Sequence, residues 1–464
     1  MNVAVCADVG STYTKAAVVD LDGGRLVGAA AAPTTVGTDV LHGLDAAVAA
    51  ATADAGVRGE APWYVCSSAG GGLRLAVIGY EPLVTAQAGR RVGLSAGANV
   101  VHVAAGRLGA ADLTALRAAR PDVVLLVGGT DGGDAEVLTH NATRLAKARW
   151  RVPVVLAGNG DVRDELHGLL VAAGVPVTAA DNVLPRIGVL APAAARAAIR
   201  EVFLRHVIGG KKLSRGGRFA RLVRAATPDA VLTGVEVLAD ALGGDLVVVD
   251  VGGATTDVYS VLTPDERDSG PGREVAGTLW RARTVEGDLG MRWSAPGVVR
   301  AAVEERLLDP GEADELAAVA AVRAADPGFL PAGAADRVAD RRIAALAATV
   351  AVRRHARGAA TGERAGRDLR DVRLMVGSGG VLRHADAGDA AGVLAAVLGD
   401  HAGGWPLPRA ARAVVDVDYV LAAGGLLAAE QPGAAVALLR RHLGAGVSPA
   451  AATDRDAPTR HAVV

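Results

Sequence analysis

Apolar positions in the first thirty residues fall into short blocks, each ended by a turn. Residues 3–9 form a nearly unbroken apolar run, closed by Gly10-Ser11-Thr12, and a second run follows at 16–20. Asp22-Gly23-Gly24 supplies a hairpin, because glycine accepts the positive φ of such turns, and a third strand is predicted at 25–29. Thr38-Asp39 then caps a helical run to residue 55, and 63–66 reads as a fourth strand. Between 100 and 180 four short apolar strands (100–104, 123–127, 154–157 and 175–178) alternate with helical stretches. That alternation predicts βαβ crossovers and a parallel sheet. Pro176 in the last strand places it at the sheet edge. The glycine-rich turns 128–133 and 158–160 follow strand C-terminal ends, where open α/β sheets hold ligands.

A helix is expected over 191–207, with Pro192 in its first turn, and an exposed basic loop over 211–217. A fully apolar strand at 246–249 opens a second unit; 264–273 reads as a loop, 297–360 as mainly helical, and 372–376 as another strand. The domains expected are 1–99 as a first half, 100–190 as an inserted parallel α/β subdomain, and 191–244 as a helical connection. A second half spans 245–445, and 446–464 is a frayed tail.

One repeat organises the chain. Asp8-Val9-Gly10-Ser11-Thr12-Tyr13-Thr14 and Asp250-Val251-Gly252-Gly253-Ala254-Thr255-Thr256 each end an apolar strand in Asp-Val-Gly, turn through small or hydroxylated residues, and start a returning strand. Two copies of one device imply two similarly folded halves. Such a turn suits a polyphosphate: glycine lets backbone N–H groups approach, Ser and Thr add donors, and the strand-end aspartate can hold a hydrated Mg²⁺. A third glycine turn, Gly377-Ser378-Gly379-Gly380, lets a flat base slide against backbone. The predicted set is therefore Asp8, Lys15 and Asp250 for catalysis and Asp8 and Asp250 for the metal. Gly10, Ser11, Thr12, Lys15, Gly252, Gly253, Thr255, Thr256, Gly377, Gly379 and Gly380 are the candidates for ATP binding. Lysine occurs only at 15, 147, 211 and 212, so Lys15 inside the first motif is a candidate for a compact ammonium that arginine does not imitate.

These three motifs resemble, in order, the two phosphate motifs and the adenosine motif of the actin/Hsp70/sugar-kinase superfamily. The resemblance implies an α/β fold class of two duplicated actin/Hsp70-type (ribonuclease H-like) domains around a nucleotide cleft, here with the inserted subdomain. It implies that Asp8 and Asp250 organise Mg²⁺ and the attacking water, with Ser11, Thr12 and Thr255 on phosphates and Gly379 and Gly380 against the nucleoside. Within the superfamily, residues 66–74, 126–133, 185–190 and 284–290 are similar to the MutL/GlmL family associated with glutamate mutase, unrelated to the mismatch-repair protein of the same name. That likeness implies an ATP-dependent reactivating chaperone for an adenosylcobalamin-dependent mutase, whose subunits are its partners. Two other readings share the fold: a small-molecule kinase, with Asp131 or Asp134 as base, and a non-hydrolysing nucleotide-sensing scaffold.

Bulk properties exclude several classes. At 464 residues the chain holds two or three domains, and 51% hydrophobic with 21% charged residues describes a folded protein. A net charge of −1 gives no field for nucleic acid, and aromatics at 3% leave few stacking platforms. Two cysteines, Cys6 and Cys66, each in an apolar run, read as buried thiols of a reducing compartment. The N-terminus lacks a signal-peptide pattern, and no charge-free apolar run reaches the ~20 residues that span a bilayer. A cytoplasmic protein is expected. The histidines lack metal-ligand spacing, and no P-loop sequence occurs. The 93–97 Gly-x-Ser-x-Gly pattern follows a helical run, against a nucleophile elbow. Glu286 and Asp288 could serve the γ-phosphate or merely cap a turn.

Overall fold

The computed structural model describes residues 1–69, 73–81, 84–96, 98–208, 213–262, 281–326, 328–357 and 367–445. The loop expected at 264–273, Lys211, Lys212, Gly97 and the tail from 446 lie outside them.

In chain order the strands are β1 (Val3–Val9), β2 (Tyr13–Asp20), β3 (Arg25–Pro33), β4 (Trp63–Ser67), β5 (Arg74–Gly79), β6 (Asn99–Ala105), β7 (Val123–Leu126), β8 (Val154–Leu156) and β9 (Val177–Ala179). They continue as β10 (Val223–Ala226), β11 (Leu246–Val251), β12 (Thr256–Val261), β13 (Arg281–Glu286), β14 (Leu374–Ser378) and β15 (Arg412–Val415). Two sheets have one plan. The first runs β3-β2-β1-β4-β10 and the second β13-β12-β11-β14-β15. In each, the first three strands of the half are antiparallel neighbours and the last two add parallel to the first. The fold is therefore α/β with duplicated halves, and the Asp-Val-Gly repeat marks the same corner of each.

Strand alternation decides which way each motif faces. Val3, Val5, Ala7 and Val9 enter a core with the helix Val40–Asp54, whereas Ala4 and Cys6 enter a second core. In β11, Val247, Val249 and Val251 pack against the helix Ala334–Arg357, while Leu246 and Val248 join that second core. The second core is shared: it joins both sheets through the helices Thr227–Leu242, Val420–Leu427 and Pro432–Leu443. With a period of two, Asp8 and Asp250 fall on the faces turned toward this common layer.

The third sheet is wholly parallel, ordered β6-β5-β7-β8-β9. It begins at Arg74, ahead of the expected boundary at 100. Leu75 to Ile78 are all buried between β6 and β7, and a central strand apolar on both faces carries no alternation to separate it from its surroundings. β9, with Pro176 before it, is at the edge. The 191–244 stretch, expected as a helical connection, instead returns to the first half: β10 completes its sheet and the helix Thr227–Leu242 enters the shared core. β10 and β15 have four residues each and lie at sheet edges, too short to show a periodic pattern. No helix among the described residues is long and apolar enough to cross a membrane.

Candidate nucleotide cleft

Each Asp-Val-Gly strand ends in the same closed turn. The Gly10 N–H donates to the Tyr13 carbonyl at 3.2 Å, and the Gly252 N–H to the Thr255 carbonyl at 2.9 Å. A methyl on Gly10 would stand 2.7 Å from that carbonyl oxygen, and one on Gly252 2.9 Å from its counterpart. Both glycines are thus required by the turn. The registers also coincide: Asp8 faces Lys15 across β1 and β2, as Asp250 faces Asp257 across β11 and β12. Ser11, Thr12 and Gly253 are exposed and Thr255 is half-buried, so their N–H and hydroxyl groups can meet a ligand.

Two predicted contacts do not join the cleft. Thr256 is fully buried and its hydroxyl donates to the Leu289 carbonyl at 2.9 Å. Gly377 is also buried, and a methyl there would press on Leu382 and Leu394 at 2.9 and 3.0 Å. Both sit on the inward side of their strands, opposite in parity to Asp250. Gly379, at φ 101°, lies so close to Val251 that a methyl would stand 2.1 Å from the carbonyl oxygen. Only glycine lets the 377–380 turn touch the end of β11 and the turn that follows it. Gly380 is exposed with open space at its Cα.

Asp8 is the most connected group. Although buried, its Oδ1 accepts from the Thr227 hydroxyl and, at 3.6 Å, the Cys66 thiol; its Oδ2 accepts from the Tyr419 hydroxyl at 3.0 Å. The Lys15 Nζ stands 3.6 Å from the same Oδ2 and 3.7 Å from the Tyr419 ring centroid. The Arg383 guanidinium also packs on that ring, at 4.9 Å. Asp8, Lys15, Arg383 and Tyr419 border a cavity of ≈ 220 Å³ between β1–β3 and the helix Val420–Leu427.

Asp250 contrasts with Asp8. Among the described residues no hydrogen bond or ion pair holds its half-buried carboxylate. Burial pushes its pKa up to about 6; the negative charge of Asp257 adds to the rise, Lys15 opposes it, and Asp8 and Asp416 reinforce it. Asp257 is itself held by Arg283 at 3.0 Å, and Asp416 caps the helix Val420–Leu427 by accepting from the Val420 and Leu421 N–H groups. Asp250 is therefore the carboxylate left without a positive partner of its own. Such a carboxylate, near enough to Asp8 and Lys15 to feel their charges, has the chemistry of a ligand for a hydrated divalent cation, which takes hard oxygen ligands through waters.

Glu286 and Asp288 are tied elsewhere. Arg354 donates to both Asp288 oxygens, at 2.7 and 3.0 Å, and to Glu286 at 3.0 Å. Of the two possible acceptor-side bases, Asp131 accepts from the Gly160 N–H and the Asn182 amide at 2.8 and 2.9 Å, and Asp134 accepts from the Glu136 N–H at 2.8 Å. Both brace loops of the parallel sheet. Thr227 and Tyr419 were not legible as site residues, lying 219 and 411 positions from Asp8. Cys66 reads in sequence only as a core thiol; burial and the neighbouring Asp8 charge push its pKa far up, so it stays a neutral donor.

Residues 4–443 match the MutL protein family. A relative named Protein MutL, from Clostridium tetanomorphum, is 34% identical over 469 residues, covering 96% of this chain and 99% of its own. Among solved structures, nucleotide-free acetone carboxylase aligns with 92% of this chain and 70% of its own at 16% identity and a TM-score of 0.40. An activator of 2-hydroxyisocaproyl-CoA dehydratase from Clostridium difficile, with bound ADPNP, covers 93% and 95% at 10% identity and a TM-score of 0.31. The extent of the family match and the near full-length relative identify the chain as a member of the MutL protein family.

Proposed function

We propose that the protein binds ATP with Mg²⁺ between its two halves, hydrolyses it slowly, and uses the resulting rotation as a reactivating chaperone for an adenosylcobalamin-dependent mutase in the cytoplasm. The observation that carries the nucleotide reading is the unpartnered Asp250 carboxylate, opposite Asp8 and Lys15, at the end of a repeated phosphate-type turn. Magnesium, held through waters by Asp8 and Asp250, would neutralise charge on the phosphates. The N–H groups of 11–13 and 253–255 would cradle phosphate oxygens, and Lys15 would supply a point charge beside them. Phosphoryl transfer asks little more of a protein than positioning and charge. Asp250 would orient the attacking water by accepting a hydrogen bond from it.

The hinge layer offers the coupling. The helices Thr227–Leu242 and Val420–Leu427 start beside the cleft, at Thr227 and Tyr419, and pack on one another in the shared core. Closure around a nucleotide would turn one half on the other across this layer. The mutase assignment rests on the family resemblance. It is tested by co-purification with cobalamin-enzyme subunits with and without ATP, and by release of damaged cobalamin from inactivated mutase. Undiminished mutase turnover in cells lacking this protein would refute the chaperone role. Failure to bind Mg²⁺-ATP would refute the nucleotide role.

A further inference from the structure

Tyr419 occupies a position that the nucleotide reading alone does not explain. It is a non-glycine residue at φ 58°, ψ 42°, at the N-cap of the helix Val420–Leu427. Left-handed backbone is uncommon for a bulky residue and persists where its surroundings impose it. Here they do. The Tyr419 N–H donates to the Asp416 carbonyl, and the Asp416 carboxylate takes the next two N–H groups of the helix. The strained backbone delivers the ring across the boundary between the halves. Its hydroxyl reaches Asp8 of the first half at 3.0 Å, and its face lies 3.7 Å from the Lys15 ammonium.

The two contacts do different things. The hydroxyl, with Thr227 on the other oxygen, fixes both oxygens of Asp8. The ring holds Lys15 by a cation–π contact without consuming its N–H donors, which stay available to a phosphate. We infer that Tyr419 is a positioning residue contributed by the second half to the first: its ring sets the Lys15 ammonium for the nucleotide phosphates and its hydroxyl sets Asp8 for the metal-bound waters. This rests on the nucleotide reading and deepens it. The first phosphate site is assembled only when the second half stands in this position, so occupancy of the cleft and the angle between halves are linked at one side chain.

Two variants separate the contacts. Tyr419→Phe keeps the ring and removes the hydroxyl, so it should leave the KM for ATP near that of the wild type while kcat falls about tenfold, the scale of a lost hydrogen bond to a charged group. Tyr419→Leu removes both, and its KM should rise about three- to thirty-fold, the range of a partly desolvated cation–π contact. A readout free of activity is amine acetylation of Lys15 followed by peptide mass spectrometry. Lys15 is one of four lysines, and the exposed Lys147 is an internal control. In nucleotide-free protein Tyr419→Leu should raise Lys15 labelling several-fold and leave Lys147 unchanged. The same change in kcat and KM for the Phe and Leu variants, or unchanged Lys15 labelling in a folded Leu variant, overturns the positioning role while the nucleotide reading stands. Wild-type protein that binds no ATP overturns both.

Discussion

Gly234 and Gly425 meet where the helices Thr227–Leu242 and Val420–Leu427 cross, close enough that backbone touches backbone. A methyl on Gly425 would stand 1.8 Å from the Ala230 carbonyl oxygen, and one on Gly234 2.1 Å from that of Leu421. The two helices hold equivalent places in the two halves, each following the fifth strand of its sheet. Gly425→Ala must push them apart. Overpacking of this kind costs about 1–3 kcal/mol, read as a lowered Tm. The variant should also lose more of its ATP-dependent change in shape, measured by small-angle scattering, than of its nucleotide affinity. An unaltered Tm would mean that the crossing yields more easily than its geometry indicates.

Asp250 should make both stability and, under the proposed function, nucleotide binding pH-dependent. Its folded pKa is about 6 against an ordinary 3.8, so between those values the folded state holds the proton that the unfolded state has lost. Stability of the nucleotide-free protein should therefore fall as pH rises from about 4 to 6 and level off above, the full difference being at most about 3 kcal/mol. Binding of Mg²⁺-ATP should run the other way, weakening below pH 6 as the carboxylate protonates. Asp250→Asn should abolish hydrolysis and flatten both profiles, as calorimetry at several pH values would detect. A variant that keeps chaperone function without hydrolysis would instead favour the nucleotide-sensing scaffold.

Arg354 clamps Glu286 and Asp288 at the end of β13. Asp288→Asn should therefore lower Tm and leave the rate of ATP hydrolysis within about twofold, since a partly exposed pair of this kind is worth about 1 kcal/mol. Loss of hydrolysis with an unchanged Tm would move Asp288 into the chemistry.

Asp131 separates the chaperone from a kinase. It accepts from the Gly160 N–H and the Asn182 amide in a partly exposed setting, so Asp131→Ala should cost about 0.5–1.5 kcal/mol for the lost hydrogen bonds. Stability should drop and release of phosphate to water should persist. Transfer of labelled γ-phosphate to a metabolite, lost in this variant, would support the kinase reading instead.

The amino-acid order alone determined the duplicated device. Asp-Val-Gly at 8–10 and again at 250–252, each after an apolar run, encodes a strand and a glycine-dependent turn through local sterics, and local sterics are written in consecutive residues. It also determined that a parallel sheet interrupts the first half. Tertiary structure decided where those elements face and what completes them. Thr256 and Gly377 belong to the motifs by sequence yet point into the core, because strand parity acquires meaning only once one face is shared between sheets. Thr227 and Tyr419 reach Asp8 from 219 and 411 residues away. Contacts of that span form only when the helices Thr227–Leu242 and Val420–Leu427 pack, and no local pattern records them.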